Sequence, residues 1–171
     1  MRLRLLIVII LMFPIFAHAE SSALIIAGAP GGDDHAKKYT AWTDTTRLIL
    51  VNDMGFSPAR VTVLSNEKAT QAEIKDAFAK LQAQLKPADS FFLFLIGHGS
   101  YDGIEYKFNN VGPDLTGTDF SKLLSTLSAS RIVVVNGTSN SGGATEVMSG
   151  KNRMIVSATK TGFEGNDTVF Y

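Results

Sequence analysis

Short apolar segments alternate with amphipathic segments along the chain, and this alternation predicts the fold. Five segments are typical of buried strands because they are brief, largely apolar and bounded by Gly, Pro or polar residues. They cover residues 23–29, 60–64, 90–97, 131–136 and 154–159. Four helices are predicted between them, over residues 36–54, 70–85, 119–127 and 142–148. This order predicts an α/β fold, a three-layer sandwich in which a mostly parallel sheet is flanked by helices.

Individual residues predict where these helices begin and end. Gly55 is suited to stop the first helix, because glycine readily adopts the left-handed conformation of a C-terminal cap. Thr70 and Glu73 form a capping box for the second helix, and Thr118 is expected to cap the third. A small hairpin is expected around residues 104–108. The first helix is expected to bury Trp42, Thr46, Leu48, Ile49 and Leu50.

The first residues have the features of a secretory signal peptide. Arg2 and Arg4 precede an uncharged apolar run over residues 5–16, and Ala17-His18-Ala19 has small residues at the two positions that a signal peptidase recognises. Cleavage is therefore predicted after Ala19, which divides the chain into a signal peptide (1–19) and a mature domain (20–171). The protein is expected to be secreted or periplasmic, without stable membrane insertion after cleavage, because the run is shorter than the roughly 20 residues that span a bilayer. An uncleaved N-terminal anchor is the alternative.

Composition excludes several classes of function. Hydrophobic residues make up 45% of the chain, enough for one packed core, and the formal net charge is zero. No cluster of Lys and Arg is present, so nucleic acid is not an expected partner. The chain has no cysteine. It therefore has no disulfide, no thiol nucleophile and no thiolate metal ligand.

The Gly-rich segment 28–32 and the acidic residues after it raise the question of a cofactor. The segment follows a strand, but it lacks the Gly-x-Gly-x-x-Gly spacing of a dinucleotide site, and Pro30 removes an amide donor. Asp33, Asp34 and His35 could suggest metal ligands. Carboxylates at the start of a helix are more often solvated charges that favour the helix dipole. No cofactor and no metal are predicted.

Two predicted strands end in polar, turn-rich segments that carry candidate catalytic groups. His98-Gly99-Ser100 follows the strand 90–97, and residues 137–143, which include Ser139, follow the strand 131–136. Sites in open α/β sheets lie beyond the carboxyl ends of the strands. If the two strands are neighbours, His98 and Ser139 therefore lie on the same edge of the sheet.

The first motif is a strand that ends in Gly-His-Gly-Ser, and about forty residues later a second strand leads into a turn with Ser-x-Ser-Gly. In this order the two motifs resemble those of the caspase and legumain superfamily of cysteine peptidases. The early strand with its Gly loop and the capped helix before residue 90 come in the same order as in that family. The resemblance implies a caspase-like sheet, His98 as the general base and the Gly99 amide as an oxyanion donor. It also places Ser139 at the position of the nucleophilic cysteine, and it implies a peptide or protein as substrate or ligand.

Serine at that position changes the expected chemistry. A cysteine is partly ionised near neutral pH, whereas a serine hydroxyl needs a base in direct contact and a residue that orients the base. Asp102 is close enough in sequence to orient His98. The sequence therefore predicts a weakly active or inactive peptidase homologue, and the alternative is a non-catalytic scaffold that binds a peptide or protein. Structural roles also remain open, with His98 ending its strand and Ser139 in an ordinary loop.

A rival interpretation comes from residues 137–141, which differ by one residue from the Gly-x-Ser-x-Gly elbow of α/β-hydrolases. That fold needs its histidine after the serine. The three histidines are His18, His35 and His98, all before Ser139. A closing helix is also expected after the last strand, where the chain instead ends at Tyr171, and this indicates a truncated product or a fragment.

Overall fold

A computed structural model of the protein describes residues 19–165. The strands in this range are β1 (Ser21–Ala27), β2 (Val61–Leu64), β3 (Ser90–Ile96), β4 (Gly99–Tyr101), β5 (Tyr106–Phe108), β6 (Leu115–Thr116), β7 (Arg131–Asn136) and β8 (Arg153–Ser157). The α-helices are α1 (Asp33–Leu48), α2 (Gln71–Gln84), α3 (Gly117–Ser125) and α4 (Thr145–Met148).

Five strands form the central sheet in the order β2-β1-β3-β7-β8, and every neighbouring pair is parallel. The order reverses between β1 and β3, because β2 lies on one side of β1 and all later strands lie on the other. The remaining strands, β4, β5 and β6, form a small antiparallel sheet between β3 and α3. The predicted α/β fold with a mostly parallel sheet is confirmed, and the hairpin expected around residues 104–108 is part of this three-stranded sheet.

The helices divide unequally between the two faces of the central sheet. The larger core cluster joins one face to α2, α3 and α4, through side chains such as Phe78, Phe120 and Met148. The smaller cluster joins the other face to α1 and the segment after it, through Tyr39 and Phe56. This division follows from right-handed crossovers, since the connection from β1 to β2 runs in the opposite direction to all later ones.

The start of α1 differs from its prediction. The helix begins at Asp33, three residues before the expected start, and Asp33 and Asp34 lie in its first turn. Acidic side chains are favourable there because they face the positive end of the helix dipole. The loop between β1 and α1 is therefore shorter than the Gly-rich sequence predicts.

The end of the first helical segment also departs in part from expectation. After Leu48 the chain forms a π-helical turn, Ile49–Asp53. Gly55 follows with a φ of +73°, in keeping with its predicted role as a stop. Leu48 and Ile49, expected to be buried, are 53% and 45% exposed. The wider turn changes which side chains face the sheet, and Leu50 is the buried one.

The third helix is capped by a different residue from the one predicted. Thr116, not Thr118, precedes α3, and its hydroxyl accepts a hydrogen bond from the Asp119 amide at 3.0 Å. The Asp119 carboxylate accepts one in return from the Thr116 amide at 3.1 Å, which completes a capping box. This bond holds the pKa of Asp119 below its ordinary value.

The predicted signal peptide lies outside the described residues except for Ala19. From residue 19 to residue 165, no helix is both long and apolar enough to cross a membrane.

Candidate functional site

The two segments with candidate catalytic groups lie side by side at the carboxyl ends of β3 and β7. Leu95 and Asn136 are paired in register, and the Gly137 amide donates to the Leu95 carbonyl at 2.9 Å. His98 and Ser139 therefore follow neighbouring parallel strands at one edge of the sheet, as expected from the order of the predicted strands. What they can do there depends on the direction and the partners of each side chain.

The Ser139 hydroxyl is hydrogen-bonded to the backbone of Gly99 in both directions. It donates to the Gly99 carbonyl at 3.1 Å and accepts from the Gly99 amide at 3.2 Å. The residue is only 5% exposed. The amide that the family resemblance assigns to oxyanion binding is thus bonded to the serine itself.

Gly99 has no room for a side chain. A Cβ atom there would lie 2.6 Å from the Ser139 carbonyl oxygen and 2.8 Å from the Thr138 hydroxyl. Because the first of these is a backbone atom, the contact cannot be relieved by a change of rotamer. The close approach of the two backbone segments therefore requires glycine at position 99.

The imidazole of His98 packs against α1. Its ring centroid lies 4.7 Å from that of His35 and 5.8 Å from that of Tyr39, with edge-to-face geometry in both cases. Gly97, just before it, has a φ of +140°, which side-chain-bearing residues rarely adopt. The three rings lie next to the reversal of strand order between β1 and β3, where ligands of open α/β sheets commonly bind.

Asp102, the candidate for orienting His98, bonds within its own hairpin. One carboxylate oxygen accepts from the amides of Glu105 at 2.8 Å and Ile104 at 3.0 Å. The other oxygen lies 3.4 Å from the Lys107 ammonium. The two amide bonds, with Lys107 in addition, hold the pKa of Asp102 below its ordinary value. In the part of the chain that the structure describes, the bonded partners of Asp102 all lie in the turn after β4 or on β5.

A buried neutral network lies beneath the Ser139 turn. The Tyr106 hydroxyl and the Thr138 hydroxyl are 2.6 Å apart, and the Asn136 side-chain oxygen accepts from Thr138 at 2.8 Å and from Tyr106 at 3.3 Å. Burial raises the pKa of Tyr106 to about 12. The phenol therefore stays neutral across the physiological range and contributes hydrogen bonds, not charge.

The segment after β8 covers this turn. The Asn140 amide donates to the Glu164 carbonyl at 2.9 Å, and its side chain donates to the Gly162 carbonyl at 2.6 Å. The rings of Tyr101 and Phe163 meet edge to face at 5.3 Å. Sequence reasoning missed this cover. The signal available in the sequence was Asn140, which marks a tight turn after Ser139. Asn is among the few residues that tolerate the left-handed conformation, and Asn140 adopts it with a φ of +59°.

The possible metal ligands lie in the first turn of α1. In the described part of the chain, no three His, Asp or Glu side chains converge as metal ligands would. Of these possible ligands, His35 has a ring that contacts the ring of His98.

Comparison with known proteins places the chain by fold only. No protein-family model matches it, and no curated protein matches it. Among solved structures, it is similar to the protein GSU0716 from Geobacter sulfurreducens, with 20% sequence identity and a TM-score of 0.54. The match covers 70% of this chain and 50% of the other, so this chain spans about half the length of that protein. A similarity at this level of identity shows that the two proteins share a fold.

Proposed function

We propose that this chain is an exported, caspase/legumain-like protein that binds an extended peptide or protein segment without cleaving it. The observation that carries the proposal is the double hydrogen bond between the Ser139 hydroxyl and the Gly99 backbone. A hydroxyl in this position holds two strand ends together, which is a structural task. The catalytic role expected from the family resemblance would require the same hydroxyl to be available to a base and to a substrate.

Three features oppose nucleophilic attack by Ser139. Its proton is directed to the Gly99 carbonyl, and its oxygen accepts the Gly99 amide, so both bonds must break before it can react. A serine nucleophile needs a base within direct hydrogen-bond reach. The His98 ring packs on α1 beside His35 and Tyr39. The segment 159–165 also covers the turn that carries the serine.

The edge strand β8 supports the binding half of the proposal. It is the last strand of the sheet, with β7 on one side. The backbones of Asn152 and Ala158 form hydrogen bonds with β7. Because the backbone groups of successive residues point to opposite sides of a strand, those of Ile155 and Ser157 point away from the sheet. Met154 on this strand is 59% exposed. Within residues 19–165 these outward amides have no backbone partner, and an edge with such amides and apolar side chains suits the addition of an extended peptide as a further strand.

A slow serine hydrolase is the second candidate, and one specific observation favours it. The Gly99 amide already lies 3.2 Å from the Ser139 oxygen, at the edge of the sheet where His98 also lies. Rotation of the serine away from Gly99 would free that amide for an oxyanion. The hydrolase therefore needs a rearrangement of both side chains and of the covering segment.

A serine-directed fluorophosphonate separates the two candidates. The probe is applied at neutral and alkaline pH to the intact protein, to Ser139→Ala and to Ser128→Ala, whose serine is exposed on the surface. We expect no labelling that depends on Ser139. Labelling that persists in Ser128→Ala and disappears in Ser139→Ala would establish the hydrolase and contradict the proposal.

A cysteine at position 139 tests the geometry without relying on the weak nucleophilicity of serine. We expect Ser139→Cys to react with a peptidyl chloromethyl ketone no faster than an exposed Ser128→Cys, because the His98 ring packs against His35 and Tyr39 and the side chain of residue 139 is bonded to the Gly99 backbone. Circular dichroism establishes that both variants are folded. Preferential reaction at position 139, lost on adding His98→Ala, would show that the catalytic arrangement survives.

Binding at β8 is tested with a library of short synthetic peptides on the immobilised full chain. Ile155→Pro removes an outward amide, while Ile155→Ala removes the side chain and keeps the amide. We expect peptides that bind the wild type to bind Ile155→Ala and to lose affinity at least about tenfold for Ile155→Pro. Equal binding to both variants, or no bound peptide, would count against strand addition.

A further inference from the structure

The amino end of the sheet contains a buried carboxylate that contacts the first residue of the predicted mature chain. Asp89, just before β3, is 1% exposed. One of its carboxylate oxygens accepts a hydrogen bond from the backbone amide of Glu20 at 2.9 Å. The other accepts a hydrogen bond from the backbone amide of Lys86 at 3.1 Å. Glu20 is the residue that follows the predicted cleavage after Ala19.

A cation completes the surroundings of this carboxylate. The Arg60 guanidinium lies 3.6 Å from Asp89 and donates to the Ser22 hydroxyl at 2.9 Å. It also forms an ion pair with the Glu20 side chain. Burial on its own would raise the pKa of Asp89, but the two amides and Arg60 hold it below its ordinary value. Asp89 is therefore a charged acceptor at neutral pH.

We infer that Asp89 is the receptor for a new N-terminus, so that cleavage after Ala19 creates an α-ammonium on Glu20 that pairs with this carboxylate. In the cleavage, water adds across the Ala19–Glu20 peptide bond and the C–N bond breaks. The carbonyl side leaves as a carboxylate, and the Glu20 nitrogen is released as an ammonium group. A neutral donor 2.9 Å from Asp89 is thereby replaced by a charged one. The inference rests on the predicted export and is independent of peptide binding.

The charge pair has a mechanical consequence for the fold. Glu20 directly precedes β1, and the Ser90 amide, at the start of β3, donates to the Glu20 carbonyl at 2.9 Å. Asp89 itself directly precedes β3. The ammonium would therefore tie the start of β1 to the start of β3, two adjacent strands of the central sheet. The hydrogen bond to the ionised Asp89 is charge-assisted already, and an ammonium donor adds the attraction between two opposite charges, so processing would stabilise the start of the domain.

The first experiment identifies the processed end. The full chain is expressed in a bacterial host that exports it, and the N-terminal residue of the exported protein is determined by mass spectrometry and Edman degradation. We expect a chain that begins at Glu20. A mature chain that begins elsewhere, or one that retains residues 1–19, overturns the inference.

The second experiment measures the environment of the new amine. The exported protein is briefly exposed to acetic anhydride at pH 7, once folded and once unfolded in urea, and acetylation of the N-terminal peptide is quantified. A carboxylate within about 4–6 Å favours the protonated amine, which does not react, so we expect acetylation to be about tenfold slower in the folded protein. Equal rates, after correction for the effect of urea on a model peptide, overturn the inference.

A variant pair assigns the effect to Asp89. Asp89→Asn keeps the shape of the side chain and removes its charge, and Asp76→Asn does the same to an exposed carboxylate paired with Lys80. We expect the amine to become several-fold more reactive in Asp89→Asn and to be unchanged in Asp76→Asn. The same change in both variants overturns the assignment. If Asp89→Asn does not fold, equal acetylation rates in the folded and unfolded wild type would still overturn the inference.

Discussion

The two ends of the parallel sheet are held together by different chemistry. At the carboxyl end, Ser139 and Gly99 join the strands through neutral hydrogen bonds between a hydroxyl and a backbone. At the amino end, Asp89 and Arg60 join them through charges that surround Glu20. Both clusters connect adjacent strands, but they should respond differently to substitution and to pH.

The difference bears on the proposal that the carboxyl end binds without catalysis. Nucleophilic serine chemistry depends on a base that touches the hydroxyl and on a charged or polar partner that orients the base. The base candidate, His98, contacts aromatic rings, and the orienting candidate, Asp102, is bonded within its own turn. Polar residues at the end of a strand can thus serve packing, even at an edge where many α/β proteins bind ligands.

The largest expected effect is that of a single methyl group at the carboxyl end. We expect Gly99→Ala to lower the free energy of unfolding by about 3 kcal/mol, because its Cβ would overlap the Ser139 carbonyl oxygen. Gly32→Ala is the control, since no atom lies within 4 Å of the position of its Cβ. Urea unfolding of both variants checks this. A loss below about 1 kcal/mol for Gly99→Ala would mean that the two segments are less closely apposed.

The next effect concerns the amino end. We expect Asp89→Ala to lower the free energy of unfolding by about 2–3 kcal/mol, because two amides lose their acceptor and the Arg60 guanidinium loses a neighbouring carboxylate. The comparison variant is Asp76→Ala, which breaks only an exposed pair with Lys80 and should cost under about 1 kcal/mol. Equal losses in urea unfolding would contradict the contrast between the buried and the exposed carboxylate.

Acid should weaken the amino end selectively. The pKa of Asp89 in the folded protein is lowered from its ordinary 3.8. The contribution of Asp89 to the free energy of unfolding is therefore fully present above 3.8 and is lost as pH falls through the lower pKa of the folded state. We expect the stability difference between wild type and Asp89→Asn to shrink as pH is lowered from about 5 to about 2. For Ser139→Ala the difference should stay nearly constant over the same range. Urea unfolding at several pH values measures both, and a constant difference for Asp89→Asn would refute this role.

The smallest expected effect comes from removal of the Ser139 hydroxyl. We expect Ser139→Ala to lower the free energy of unfolding by about 1–2 kcal/mol, because the buried Gly99 amide loses its hydrogen-bond partner. Ser128→Ala, on the surface, should change it by less than about 0.5 kcal/mol. A more stable Ser139→Ala variant would instead be typical of an active-site residue held at the expense of stability.

Much of this fold could be predicted from the sequence. The buried strands could be located because their apolar runs have no polar face, and β7, Arg131–Asn136, has the predicted bounds. Helix starts were less predictable, because several Thr and Asp residues near α3 could each form a cap. Thr116 forms it because Asp119 lies three residues later and returns the hydrogen bond.

The candidate site could be predicted only as a location. The carboxyl ends of parallel strands meet at one edge, so the proximity of the His98 and Ser139 segments followed from the strand pattern. The directions of the two side chains did not, because they depend on the turn at Gly97 and on which backbone groups lack partners. The cover over Ser139 also comes from residues 159–165, whose long-range contacts leave no periodic pattern in the sequence.

Amide hydrogen exchange at Gly99 is the most direct test of the contact between Ser139 and Gly99, because this amide donates to the Ser139 hydroxyl. We expect strong protection of the Gly99 amide in the wild type, and exchange at least about tenfold faster in Ser139→Ala with no change in Ser128→Ala. Rapid exchange of the Gly99 amide in the wild type, or equal rates in wild type and Ser139→Ala, would contradict it.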